Sequence, residues 1–517
     1  MKKVTKKTLA MLLAVMMVLS LVACGTKEAG EPVADDAAPA DVTYKQEIRI
    51  GQQQDITDFT RYTNNTIACY QTCNSVFNGL VSMGADGTAS PELALEWSSN
   101  EDASEWTFKL RQDVKFHDGS DFTAEDVKFT WDYFSNLDNE GTKVRPFGYE
   151  FIEEIVVDDP YTVTFKLNST CVEWLAYACQ DILCKSAVES QGVLEGGKIG
   201  TGAYKYDSFE PGISWSIVRN DEYWGEKPLT EKLTFVVLSD ASARAFALQS
   251  GDIDVMYEGN VSDIAPMMSD PNYRVYEADG EGSVYMGINN QSKYGSNPIV
   301  RQALNMAINR EELVLTCYEG IGASVCDTYI PSTAPGYAKA ETYPYDPAAA
   351  QQLLKDNGLD GITLQMYVFA KYLPAAQFIQ AELKEIGVTM NIQEWQQSGF
   401  SAGIKKDGGY DMFINVVSPD KSLFSAYQKY LVTDYNQTGI NYNNAEFDQW
   451  IAEASASKTY DDMIKEYAEM QAFINKEAPV VPLATVKQFV VGPASFDGLD
   501  MRGVGYDIDW TYSTIAE

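Results

Sequence analysis

The chain has a single histidine, His117, among 517 residues. That scarcity excludes most metal enzymes built on imidazole ligands, and any catalytic triad that does not use this one ring. Basic residues are also few: 39 Lys and Arg stand against 74 Asp and Glu, a formal net charge of −35. A phosphate backbone would be repelled, and no basic stripe interrupts the acidic excess, so nucleic-acid partners are excluded. The metalloprotease pattern His-Glu-x-x-His, the nucleophile elbow Gly-x-Ser-x-Gly and the EF-hand loop are missing. Eight cysteines occur without one Cys-x-x-Cys pair. Beyond the N-terminus no apolar run approaches the roughly 20 residues of a membrane-spanning helix.

What is present is ample apolar matter, 45% hydrophobic and 12% aromatic residues, enough for packed cores. At about 150 residues per domain the length suggests roughly three domains. The first 23 residues carry Lys2, Lys3, Lys6 and Lys7 and then an apolar run from Leu9 to Leu19, the layout of a secretory signal. Leu21-Val22-Ala23-Cys24 resembles a bacterial lipobox, so Cys24 is expected to become the lipidated N-terminus. Residues 24–43 are small, acidic and proline-containing, and read as a flexible tether. Cleavage before Cys24 leaves 494 residues and takes the charge from −35 to −39. The other seven cysteines are odd in number, and buried free thiols are the expected state.

Strand-like and helix-like stretches alternate along the rest of the chain. Glu47–Gly51, Trp106–Arg111, Tyr161–Leu167 and Val388–Trp395 read as strands. Thr123 and Asp126 form a capping box for a helix to about Phe134. Asn297-Pro298 opens a helix to about Ala307, Asp346-Pro347 opens one to Asp356, and Pro374–Ile386 forms another. Phe447–Lys476 is expected to be one long amphipathic stretch ended by Pro479 and Pro482. His117 lies in Val114–Gly119 before the Asp118-Gly119 turn, and a structural role is expected of it. Gly192–Lys198 fits seven positions of a phosphate-binding loop, but Ile199 stands where Ser or Thr must hold magnesium. Gly200-Thr201-Gly202 lacks the third glycine of a dinucleotide fingerprint.

Several segments together resemble the family 5 extracellular solute-binding proteins of ABC transporters, the oligopeptide-, dipeptide- and nickel-binding group. Asn78-Gly79-Leu80 with Gly87 and Pro91–Ala94 is similar to the family's opening region. Trp106–Arg111, Val114–Gly119 and Thr123–Val127 follow, then Gly200–Tyr204 with Arg219–Trp224. Leu248–Ile253, Val300–Leu304 with Ala307–Arg310, Tyr345–Pro347 with Leu353-Leu354, and Ala478–Pro482 complete the order. The resemblance runs from roughly Ile48 to Leu483.

The resemblance implies an α/β, two-lobed periplasmic-binding-protein type II-like fold with a hinge and an extra α+β subdomain in the first lobe. Lobe I would comprise 44–75, 199–288 and 483–517, the subdomain 76–198 and lobe II 289–482, with the hinge near Gly287–Asn289 and Pro482. It also implies pocket residues. Asp420, nine residues after Asp411, takes the place of an acid that meets a peptide's amino terminus. Trp395 is the candidate stacking wall and Lys405 a candidate partner for a ligand carboxylate. Val417 and Ser418 precede Asp420, where peptide binders often carry Gly-Trp. Gln53 and Gln54 after the first strand would face the cleft. The protein so described is a monomeric lipoprotein on the outer face of a cell membrane, periplasmic in a Gram-negative envelope. It would pass a peptide to permease and ATPase subunits, with no cofactor, no metal and no chemistry. A short oligosaccharide is the second ligand class, and a hydrolase with paired carboxylates or a sensing lipoprotein are the competing functions.

Overall fold

The computed structural model describes residues 42–517 apart from 65, 85–86, 140, 331, 333, 335, 396–408, 418–421, 423–426, 428–430, 434–438 and 502–507. β1 (Glu47–Gln52) opens the main sheet, with Ile48 and Ile50 fully buried. Thr66 caps α1 (Ile67–Val76), its hydroxyl accepting from the Cys69 amide. A separate antiparallel sheet follows, made of β2 (Ala94–Ser99), β3 (Glu105–Leu110), β4 (Ile152–Asp159) and β5 (Thr162–Leu167) in the order β2-β3-β5-β4. α2 (Ala124–Phe134) starts at the expected Thr123–Asp126 capping box and buries Val127 and Trp131 against Phe165.

The chain then returns to the main sheet through β6 (Tyr204–Glu210), β7 (Ser214–Arg219), β8 (Lys232–Val237), α3 (Ala241–Ser250), β9 (Val255–Tyr257) and β10 (Tyr273–Ile288). The third part contains α4 (Pro298–Ala307), α5 (Arg310–Cys317), β11 (Ala323–Val325), α6 (Pro347–Asp356), β12 (Thr363–Phe369), α7 (Leu373–Glu385), β13 (Thr389–Trp395) and β14 (Met412–Val417). It continues with α8 (Ala445–Ser455) and α9 (Tyr460–Glu477), and β15 (Val480–Pro493) leads back. The 11 strands lie in the order β13-β12-β14-β10-β15-β9-β1-β8-β7-β6, with β11 beside β15.

The antiparallel pair β10 and β15 is common to two packing environments. Val490 packs with the core beneath α1, and Phe489 and Val491 pack against α3. Met286, Val481 and Leu483 belong instead to the core under α4, α6 and α7. Between them the ladder breaks: Asp279 pairs with Lys487 and Ser283 with Thr485, so residues 280–282 bulge from β10. Gly282 sits there at φ 120, backbone that a side chain would strain. A second shift leaves Leu483 unopposed beside Pro482, so the proline's missing N–H falls at an irregularity.

One expectation is corrected. Phe447–Lys476 is two helices, because Thr459 takes an extended conformation and its hydroxyl accepts from the Asp462 amide, starting α9 afresh. The seven cysteines beyond Cys24 are free; five are buried, while Cys179 and Cys317 are half-buried.

His117 clamps the Gly200–Gly202 loop. Its backbone N–H donates to the Gly200 carbonyl at 2.9 Å, and its Nδ1 accepts from the Gly200 N–H at 3.2 Å. Nε2 must then carry the ring proton, which it donates to the Gly202 carbonyl at 3.0 Å. Desolvation of the ring lowers its pKa to about 4. The loop also abuts the end of α1: the Gly202 N–H donates to the Val76 carbonyl at 2.8 Å. A Cβ on Gly202 would lie 2.4 Å from the Val76 carbonyl carbon, so glycine is a packing requirement here.

Candidate functional site

In open parallel sheets, ligands bind outside the carboxyl ends of the strands. Here there are two parallel groups. β1 runs with β8 and β9, and β12 runs with β13 and β14. β9 ends where Tyr257 pairs with Val490, and β14 ends where Val417 pairs with Ser283. The two groups run in opposite directions and converge on the break in the β10–β15 ladder. Their carboxyl ends therefore define one cleft beside that break.

The β1 side of the cleft is polar. The buried Gln52 donates through Nε2 to Gln71 Oε1 on α1 at 3.2 Å. Gln71 Nε2 is buried without a hydrogen-bond partner among the described residues. The β14 side is a packed cluster of aromatic rings, most of them fully buried. Tyr367 lies 4.8 Å from Trp395 and 5.7 Å from Tyr410, centroid to centroid. Tyr285 and Tyr329 meet edge to face at 5.2 Å, and Tyr427 stacks on Tyr467 at 5.5 Å. Tyr410 donates to the Gly439 carbonyl at 2.8 Å, and burial raises its pKa to about 12, so it is a neutral donor.

β14 has an incomplete ladder. On its β12 side the paired residues are Met412 and Phe413. Beyond them the Val416 N–H is held by the Asn415 side chain at 2.9 Å rather than by a strand, among the described residues. An extended chain could dock on such an edge by backbone hydrogen bonds.

The antiparallel subdomain reaches across to the aromatic side. Ser422 donates to the buried Glu173 carboxylate at 2.8 Å, and the Tyr177 hydroxyl lies 2.6 Å from Ser422 Oγ. Val172 packs against the aromatic cluster beside this contact. Opening the cleft would expose Glu173 and break these bonds.

The sequence-derived site residues divide three ways. Trp395 is half-buried at the rim of the aromatic cluster, and Gln53 and Gln54 are exposed after β1. The Val417 side chain is fully buried within the cluster, leaving its backbone at the strand edge. Asp420, Ser418, Lys405 and Cys24 lie outside the described residues. The cluster's tyrosines and the Glu173–Tyr177–Ser422 contact escaped the sequence reading. Tyr410 adjoins the Asp411 that flagged Asp420, but nothing in spacing marks Tyr285 or Tyr329 as its neighbours. Among the described residues no group of acidic, cysteine and histidine side chains could hold a metal, and no helix is long and apolar enough to cross a membrane.

Residues 88–439 match the family described as bacterial extracellular solute-binding proteins, family 5 Middle. The dipeptide-binding protein of Escherichia coli (strain K12) is 28% identical over 449 residues, 78% of this chain and 84% of that protein. Heme-binding protein A of Haemophilus influenzae is 26% identical over 480 residues, 84% of this chain and 85% of that protein. The structure of HbpA2 from Haemophilus parasuis superposes with a TM-score of 0.81 at 22% identity, covering 91% of this chain and all of that one. The expected fold class, a two-lobed α/β type II binding-protein architecture, is thereby borne out.

Proposed function

Since this chain belongs to family 5 of the bacterial extracellular solute-binding proteins, we propose that it captures a short peptide between its lobes and delivers it to the permease and ATPase of an ABC importer. The observation that carries the peptide reading is the open edge of β14 beside the aromatic cluster. A peptide backbone would complete the ladder at Ile414–Val417, a side chain of the peptide would stack on Trp395 at the rim of the aromatic cluster, and Asp420 would receive its ammonium. The dipeptide-binding relative supports the same choice. A heme ligand is disfavoured because both nitrogens of the one histidine are engaged with the Gly200–Gly202 loop.

Packing supports a reading of the lobe boundaries. We assign the hinge to residues 279–283 and 485–488, where the strands change cores, a few residues earlier on β10 and later on β15 than the sequence suggests. The subdomain carries Glu173 and closes on lobe II through Ser422. Ligand would favour the closed state and perform no chemistry. Anchoring through lipid on Cys24 on the outer membrane face, and action as a monomer, complete the proposal.

A short oligosaccharide is the second reading, because tyrosine and tryptophan faces also stack on sugars. Mass spectrometry of ligand released from purified protein separates the two. Asp420→Asn should weaken peptide binding about tenfold or more, read by calorimetry. Unchanged affinity would remove the ammonium anchor from the proposal, and cleaved products after incubation would remove binding-only function.

A further inference from the structure

The bulge of β10 is fastened at both ends to one later segment of the chain. Before the bulge, one oxygen of the Asp279 carboxylate accepts from the Ser324 hydroxyl at 3.1 Å, and the other accepts from the Ser332 hydroxyl at 3.1 Å. After it, the Ser283 hydroxyl lies 3.1 Å from the Cys326 sulfur. The Cys326 thiol donates to the Thr328 carbonyl at 2.8 Å, so the Ser283 hydroxyl is the donor to sulfur. Ser324, Cys326 and Ser332 belong to a strap that begins at Gly322 and takes in β11.

The strap is firmly seated. Ala323, Ser324 and Val325 pair with Val486, Thr485 and Ala484 of β15, and the Lys487 N–H donates to the Gly322 carbonyl at 3.0 Å. Ala323 packs in the core under α4, α6 and α7, while Tyr329 and Ile330 are buried in the aromatic cluster. Asn475 on α9 donates to the Asp327 carbonyl at 2.7 Å. The bulge is the opposite case. Residues 280–282 have no ladder partner, and Gly282 at φ 120 has no side chain to restrict its rotation. Such a stretch can absorb the φ/ψ change of a hinge. Asp279 is half-buried, and among the described residues no cation pairs with it. Lys487, its neighbour in the ladder, turns instead to Glu277 at 3.3 Å. The two strap hydroxyls are therefore what satisfies this charge.

We propose that the strap is a clasp on the hinge: by holding Asp279 and Ser283 on either side of the bulge, it biases the molecule toward the closed arrangement in which Ser422 meets Glu173. The inference rests on the two-lobed, hinge-closing reading given above. Rotation about residues 280–282 moves Asp279 relative to Ser283, and one rigid strap cannot keep its bonds to both. Opening therefore costs the Asp279 bonds, which favour closure before any ligand arrives. Ligand affinity then depends on residues that touch no ligand, through the fraction of molecules already competent to bind.

The test follows the full chain, stripped of bound solute, by X-ray scattering. Asp279→Ala should raise the radius of gyration above that of wild type, and Ser324→Ala combined with Ser332→Ala should do the same. Asp279→Asn, whose amide can accept from one hydroxyl and donate to the other, should restore the wild-type curve. Trialanine, as the probe ligand in calorimetry, should bind Asp279→Ala about tenfold more weakly than wild type. Identical scattering from wild type and Asp279→Ala would overturn the proposal. So would lost urea stability without a change in scattering, Asp279→Asn as open as Asp279→Ala, or equal trialanine affinity in wild type and Asp279→Ala. A chain that opens on Asp279→Ala yet binds trialanine in neither form would remove the peptide reading and leave the clasp standing.

Discussion

His117→Gln should flatten the acid sensitivity of this protein. The ring is held neutral by a donor on one side and an acceptor on the other, and its pKa falls from 6.5 to about 4. Between those values the unfolded chain binds a proton that the folded chain refuses, so stability falls as pH falls through this window and is intact above it. The linkage amounts to about 2 kcal/mol at pH 5 and about 3 kcal/mol at pH 4, relative to neutral pH. A glutamine amide offers the same acceptor and donor without a titrating proton. Urea melts of wild type and variant at pH 7.5, 6 and 5 should therefore show the difference narrowing on acidification. The 74 acidic residues affect both proteins alike and cancel. Because the chain has one histidine, its ring signal in a proton NMR titration is unambiguous. A ring that titrates near 6.5, or two proteins that lose stability in parallel, would refute the reasoning.

Ser422→Ala removes the hydrogen bonds across the cleft to Glu173 and Tyr177, and should weaken ligand binding roughly tenfold while leaving the ligand-free melting temperature nearly unchanged. Calorimetry, with X-ray scattering for the degree of closure, checks both parts. Gly202→Ala drives a methyl group into the Val76 carbonyl and should cost about 1–3 kcal/mol in urea denaturation. Thr459→Ala removes the cap that starts α9 and should cost about 1 kcal/mol, restored by Thr459→Ser.

Local signals carried much of the fold. Asn297-Pro298, Asp346-Pro347 and the Thr123–Asp126 box each combine a cap with a fixed φ or a reciprocal bond, and the helices begin where those residues stand. The failures are non-local. Pro482 reads as a terminator, yet it lies inside β15, at a ladder shift that only the partner strand reveals. β10 hides behind Asp279-Gly280-Glu281-Gly282, whose polar and glycine content breaks the alternation at the point where the sheet needs its bulge. The candidate site follows the same rule. Trp395 was legible as a strand-end aromatic, whereas Tyr285, Tyr329, Tyr367 and Tyr410 come together from two strands and two loops.

The threading of the main sheet also sets the order in which the chain can become stable. β15 lies near the middle of the sheet, between β10 and β9, yet it is the last long strand to be synthesised. Near the other terminus, the Lys45 amide donates to the Ile515 carbonyl at 2.9 Å. A nascent chain can assemble the β2–β5 subdomain from consecutive residues, but β9 and β10 wait with open edges until β15 arrives. Contacts this distant in sequence make folding slow and leave a late, aggregation-prone intermediate. Truncation that removes β15 should therefore cost the whole main sheet rather than its tail, and the subdomain alone should survive as a protease-resistant fragment.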